Sequence, residues 1–85
     1  MYFVQSGKVD LYVKGRFVET VGAGGVFGEM ALVDRKPRSA SAVAQTDCTL
    51  VEINQRRFLF FVRETPPFAL EIMKTLATRL RRSII

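Results

Sequence analysis

Between Tyr2 and Val21 apolar and polar residues alternate, with Val9, Leu11 and Val13 on one side and Lys8, Asp10, Tyr12 and Lys14 on the other. A period of two is what a half-buried antiparallel strand requires, because successive side chains point to opposite faces. Gln5-Ser6-Gly7 and Lys14-Gly15-Arg16 punctuate the pattern as turns, and Phe17-Val18-Glu19-Thr20-Val21 reads as the return strand. Residues 8–21 are therefore expected to form a hairpin in which Gly15 takes a positive φ.

Beyond a glycine-rich stretch at 22–28, Met30-Ala31-Leu32-Val33 is long enough for one helical turn at most. Asp34-Arg35-Lys36-Pro37 follows as a charged loop tip closed by proline. Arg38 to Ala44 is extended again, and its small side chains at Ser39, Ala40, Ser41 and Ala42 fit either close backbone packing or space left for a ligand. Gln45-Thr46-Asp47 reads as a turn, and the alternation in Cys48-Thr49-Leu50-Val51-Glu52-Ile53 predicts one more strand. Asn54 is a good N-cap for a helix over 55–63 whose stripe is Phe58, Leu59, Phe61 and Val62, expected to be core. Thr65-Pro66-Pro67 stops it, since proline is tolerated only in a first helical turn. A last helix over 67–85 gathers Ala69, Ile72, Met73, Leu76, Ala77, Leu80 and Ile84 on one face, largely opposite Glu71, Lys74, Thr78, Arg81 and Arg82. The pattern predicts a mainly β chain with C-terminal helices, residues 1–85 forming a single domain without linker or repeat.

At 85 residues the chain buries only about 60–65% of its unfolded surface, so a ligand or a second subunit would add needed stability. Its 48% hydrophobic and 25% charged residues exclude a disordered tail, and its apolar runs are too short to span a bilayer. Residues 1–20 interleave Gln5, Lys8, Asp10 and Lys14 with apolar positions and so lack the core of a secretory signal; the expected location is the cytoplasm. A single cysteine, Cys48, agrees with a reducing compartment and is expected to be a small buried apolar residue. Net charge of +5 favours an anionic partner without choosing among a small phosphate, a nucleic acid and a lipid surface.

Candidate chemistry concentrates in Gly24-Gly25-Val26-Phe27-Gly28-Glu29-Met30-Ala31-Leu32 and Pro37-Arg38-Ser39-Ala40. Glycines at 24, 25 and 28 let backbone approach a ligand and offer bare N–H groups to an anion. The Glu29 carboxylate only accepts, which suits a ribose hydroxyl, and the Arg38 guanidinium offers paired donors that match phosphate oxygens. By type alone, the same two residues would more often make an exposed ion pair than a binding site. Phe27 stands where the third glycine of G-x-G-x-x-G would have to be, and no Gly-Lys-Ser or Gly-Lys-Thr follows, so neither the dinucleotide fingerprint nor the P-loop applies. Histidine is absent, Cys48 has no base beside it in sequence, and no cluster has metal-ligand spacing. An enzyme is not expected, and neither is a bound metal.

Phe27-Gly28-Glu29-Met30-Ala31-Leu32, five residues, then Arg38-Ser39-Ala40 resembles, in order and spacing, the phosphate-binding cassette of the cyclic nucleotide-binding domain family. Tyr2-Phe3-Val4-Gln5-Ser6-Gly7-Lys8-Val9 resembles the family's strand-turn-strand ahead of the cassette. Asp47 to Ile53, Phe58 and Pro66 resemble its closing strand and two helices, so the likeness covers nearly the whole chain. The resemblance implies an antiparallel β-roll (jelly-roll-like, a double-stranded β-helix) followed by two α-helices. It also implies a non-catalytic regulatory module for cyclic AMP, ahead of cyclic GMP. Glu29 would accept the ribose 2′-OH and Arg38 would pair with the cyclic phosphate. The amides of Gly28, Met30 and Ala31, with Ser39 and Ala40, would complete the cradle. A hydroxyl at Ser39 serves the phosphate or, in some members, a guanine amino group. Members carry a short helix and about two strands ahead of the position of Met1, so the resemblance implies a roll truncated at its N-terminus. They extend the last helix over the base, which places Ser83 near the purine with lower weight than the cassette residues.

The alternative from another class is a structural or dimerisation domain of the same fold that binds no nucleotide. Nucleic-acid binding through Arg79, Arg81 and Arg82 is a third reading. A solvated basic helix end is the commoner meaning of those arginines, and no sequence-specific DNA binding is expected. The partners expected are a cyclic nucleotide and a second copy of the chain, a homodimer that buries the apolar helix face or exchanges a strand.

Overall fold

The computed structural model describes residues 1–33 and 40–84, and the chain divides into two compact units, Met1–Asn54 and Gln55–Ile85. Strands β1 (Tyr2–Ser6), β2 (Val9–Val13), β3 (Arg16–Val21), β4 (Val26–Phe27), β5 (Ala40–Ala44) and β6 (Thr49–Glu52) form the first unit, together with the one-turn helix α1 (Met30–Val33). Helices α2 (Gln55–Glu64) and α3 (Pro66–Ile84) form the second. The charged tip at 34–37 lies outside the described residues.

Two three-stranded antiparallel sheets organise the first unit, in the orders β4-β1-β6 and β3-β2-β5. The expected hairpin is β2–β3, closed by Lys14 and Gly15 at φ 52° and 78° between the facing residues Val13 and Arg16. Positive φ at both central positions is the turn whose twist matches that of paired strands. Its register carries a feature that plain alternation does not announce. Leu11 faces Glu19 but Tyr12 faces Phe17, so Val18 is an extra residue, a bulge. Phe17 consequently shares a face with Tyr12, against which its ring packs edge-on at 5.9 Å, and is 57% exposed.

Val4 and Phe27 from one sheet meet Val9 and Val21 from the other in a shared core, flanked by Tyr2, Leu11 and Cys48. Burial of each such side chain contributes about 1.5–3 kcal/mol. Ile53 closes the unit: its amide donates to the Met1 carbonyl at 2.7 Å, and the Met1 amino group donates back to the Ile53 carbonyl at 3.1 Å. Cys48 departs from the buried apolar role expected of it. It is half-buried, and its thiol lies 3.1 Å from the Lys8 carbonyl and 3.2 Å from that of Thr46, so it donates to the turn as well as packing on the core.

Within the second unit, Thr65 joins the helices: its amide donates to the Phe61 carbonyl at 2.8 Å and its carbonyl accepts from Phe68 at 2.9 Å. Phe68 receives Phe58 edge-on at 5.7 Å and Phe61 tilted at 5.5 Å, an aromatic contact that fastens α2 to α3. Of the expected α2 stripe, Phe58, Phe61 and Val62 are half-buried while Leu59 is 63% exposed. Ile72 alone among the described α3 side chains is buried, whereas Met73 and Leu80 of the expected apolar face stand in solvent. Helical periodicity identifies the apolar face; it does not say how much of that face is covered.

Candidate functional site

The site is built where the buried strand β4 gives way to α1. Val26 and Phe27 are 4% and 6% exposed, and Phe27 stacks on Tyr2 at 5.4 Å, so the residue after them leaves from a fixed point. Gly28 turns the chain out of the sheet with φ 74°, a left-handed conformation that a Cβ disfavours. Glu29 follows, half-buried, and α1 begins at Met30. Two short-range bonds shape this turn: the Ala31 amide donates to the Gly28 carbonyl at 3.2 Å and the Leu32 amide to the Glu29 carbonyl at 3.1 Å. Gly28, Glu29, Met30 and Ala31 are thus consecutive positions of one corner, with Met30 and Ala31 exposed.

Ala40 opens β5 and faces Val13 across the β2–β5 ladder. Every residue of β5 is exposed, so its small side chains at Ala40, Ser41 and Ala42 do not serve close packing of this face. Arg38 and Ser39 lie outside the described residues, and so does the side chain of Ser83, whose backbone belongs to α3.

Two of the three glycines read as offering bare amides do otherwise. The Gly24 amide donates to the Val4 carbonyl at 2.8 Å, and the Val4 amide donates to the Gly25 carbonyl at 2.9 Å, carrying the β1–β4 pairing onward. The Gly25 amide closes a turn on the Gly22 carbonyl at 3.0 Å. These donors are consumed by the fold, so the amides at 24 and 25 are not the bare N–H groups expected from the sequence. What sequence reasoning passed over is Gly7, at φ 90°, where a Cβ would meet the Asp47 carbonyl and, at 2.8 Å, the Cys48 sulfur. The signal was present in Gln5-Ser6-Gly7, read there only as a turn.

Among the described residues no three His, Cys, Asp or Glu side chains come together as a metal site, and no helix is long and apolar enough to cross a membrane. The arrangement instead sets a carboxylate beside a glycine turn at the mouth of a one-turn helix, an assembly of acceptor and main-chain donors.

Known proteins share this architecture. The family described as "Cyclic nucleotide-binding domain" matches residues 1–65. The cyclic AMP receptor protein of Thermus thermophilus is 39% identical over 88 residues, an alignment covering 98% of this chain and 41% of the receptor. A cAMP-dependent protein kinase regulatory subunit of Eremothecium gossypii is 44% identical over 57 residues, covering 67% of this chain and 12% of the subunit. The crystal structure of the Thermus thermophilus catabolite activator protein superposes with a TM-score of 0.77 at 40% identity, over 96% of this chain and 41% of that one. This chain therefore spans less than half the length of each of these relatives. The antiparallel sheets followed by C-terminal helices are the β-roll fold of that activator. With the family matched over most of its residues and the fold matched over nearly all, the chain belongs to the cyclic nucleotide-binding domain family.

Proposed function

We propose that the chain is a regulatory module that binds cyclic AMP in preference to cyclic GMP and performs no chemistry on it. The observation that carries this reading is the β4–α1 corner, where a left-handed Gly28 presents the half-buried Glu29 at the start of α1, inside the stretch that the family matches. In this reading Glu29 accepts the ribose 2′-OH. Arg38 neutralises the single phosphodiester charge, and main-chain donors of Gly28 and Met30, with Ser39 and Ala40, complete the cradle, which the Ala31 amide joins by exchanging its bond to the Gly28 carbonyl for the phosphate. The exposure of β5 supports room for a ligand beside Ala40. Preference for the adenine nucleotide draws support from the names of two relatives, a cyclic AMP receptor and a cAMP-dependent kinase subunit. Ser83 stands near the base in this reading.

The module works in the cytoplasm as a homodimer and reads no DNA sequence by itself. Leu70, Met73 and Leu80, each more than half exposed on α3, support a second copy as the helix's cover. Calorimetric titration with cyclic AMP and cyclic GMP tests the ligand: saturable binding, tighter for cyclic AMP, is expected, and heats that never saturate with either nucleotide would leave the same fold as a purely structural or dimerisation domain. Sedimentation at several concentrations tests the dimer, and footprinting at physiological salt tests the absence of a protected DNA sequence.

A further inference from the structure

β5 is an edge strand of small residues, Ala40-Ser41-Ala42-Val43-Ala44, with every side chain exposed. Register in a sheet is ordinarily specified by which face must be buried, and a strand with no buried face lacks that specification. Sliding β5 by two residues along β2 would keep every side chain on its face and restore the backbone ladder. It would also displace Ala40, where the strand begins, by about 7 Å. Something else must fix the ladder in which Val9 faces Ala44 and Val13 faces Ala40.

The polar corner at the far end of the strand supplies it. The Gln45 side-chain amide donates to both Asp10 carboxylate oxygens, at 3.1 and 3.3 Å, and Thr20 Oγ1 donates to one of them at 2.7 Å, so Asp10 ties together residues of three neighbouring segments. The Lys8 amide donates to Thr46 Oγ1 at 3.0 Å, and the Lys8 carbonyl accepts from the Gln45 amide at 2.9 Å. The bonds of Asp10 and Thr46 use side-chain atoms at fixed sequence positions, so unlike ladder bonds they cannot be remade after a slip.

We propose that Asp10, Gln45 and Thr46 are positioning residues that lock the register of β5 on β2 and thereby set where the chain enters the nucleotide site from Ala40. The positioning role rests on the functional reading above; the lock itself is a property of the fold. None of the three touches nucleotide in that reading, and their effect is on the fraction of molecules whose site is assembled. Apparent affinity falls in proportion to that fraction.

The test exchanges donor for acceptor. Gln45→Glu sets a carboxylate against Asp10 and breaks the lock. Asp10→Asn added to Gln45→Glu restores a donor-acceptor pair of reversed polarity, with the side-chain amide oxygen introduced at position 10 still accepting from Thr20. Cross-strand proton contacts between facing residues, Tyr12 with Ser41 and position 10 with Val43, report register without any nucleotide, and calorimetry with cyclic AMP reports affinity. Expected are loss of the native cross-strand contacts and roughly tenfold weaker binding in Gln45→Glu, both recovered in the double variant. Native contacts unchanged in Gln45→Glu would overturn the lock, as would loss that the double variant fails to recover. Thr46→Val, which removes the acceptor of the Lys8 amide with little change of shape, is the independent variant and should loosen the same contacts. A parent chain that keeps register but binds neither nucleotide would overturn the functional reading and the positioning role with it, while the contacts alone still judge the lock.

Discussion

Two corners of the β unit use the same device to opposite ends. At Gly7 the chain takes φ 90° and its own atoms also occupy the space a side chain would need: a Cβ there strikes the Asp47 carbonyl and lies 2.8 Å from the Cys48 sulfur. At Gly24 the φ is 89°, nearly identical, and a Cβ would meet nothing within 4 Å. The first glycine is demanded by packing and conformation together, the second by conformation alone. Glycine in a candidate binding motif therefore argues for a ligand only after the backbone has been asked what its own amides and neighbours require. Gly28, at φ 74° beside Glu29, stands at the corner where the proposed site lies.

The comparison is broken most severely at Gly7. Gly7→Ala adds a disfavoured φ, worth about 1–2 kcal/mol, to an overlap that must move backbone, worth about 1–3 kcal/mol more. A domain of this size has little beyond that to lose. The variant is expected to be largely unfolded by circular dichroism at room temperature, and a cooperative melt within a few degrees of the parent would show that the corner yields. Val4→Ala comes next, because Val4 is fully buried between the sheets and its lost methyls leave a cavity. Urea denaturation should show about 2–3 kcal/mol of destabilisation, against less than about 0.5 kcal/mol for Leu59→Ala at the exposed face of α2.

How much of this was legible in the sequence follows from which interactions are local. The hairpin turn at Gly15 and the break at Thr65-Pro66-Pro67 rest on backbone preferences of a few adjacent residues, and the structure places both as read. The bulge at Val18 was not legible, since Phe17-Val18-Glu19-Thr20-Val21 reads as one uninterrupted strand and only the facing residues of β2 expose the extra position. Nor was the polar side of Cys48, whose partner Lys8 is forty residues away in sequence. The exposure of Leu59, Met73 and Leu80 escaped for a related reason: periodicity ranks faces, and coverage depends on what else packs there. In the site, the order Gly28, Glu29, Met30, Ala31 was readable because a turn into a short helix is local. The engagement of the Gly24 and Gly25 amides was not, because the Val4 carbonyl that takes the first of them belongs to a distant strand.

On the other side of the comparison, substitutions at the nucleotide corner should separate binding from stability. Under the proposed function, Glu29→Ala and Arg38→Ala would each remove a charge-assisted hydrogen bond of about 1.5–3 kcal/mol, an expected loss of roughly 10- to 150-fold in affinity for cyclic AMP. Calorimetry checks the loss, and thermal melting of the nucleotide-free variants should stay close to the parent. Parent-like affinity in Arg38→Ala would remove Arg38 from the cradle, and Lys36→Ala, on the charged tip, is the control expected to cost little.

The smallest effect sharpens the comparison most, because it holds φ constant and changes only the surroundings. Gly22 to Gly25 form a turn in which the Gly25 amide donates to the Gly22 carbonyl and Gly24, the third residue, has positive φ, the position that favours glycine in a type II turn. Alanine there pays the left-handed penalty and meets no atoms, so Gly24→Ala should destabilise by about 1 kcal/mol. That is a drop of about 4–8 °C in melting temperature for a domain of this length. Because the Gly24 amide is already donated to Val4 and not held ready for an anion, the folded variant should bind cyclic AMP with unchanged affinity. A large loss of affinity with a melting temperature like the parent's would return Gly24 to the ligand site. A loss of stability as great as that of Gly7→Ala would instead show that conformation alone, without the clash, accounts for both glycines.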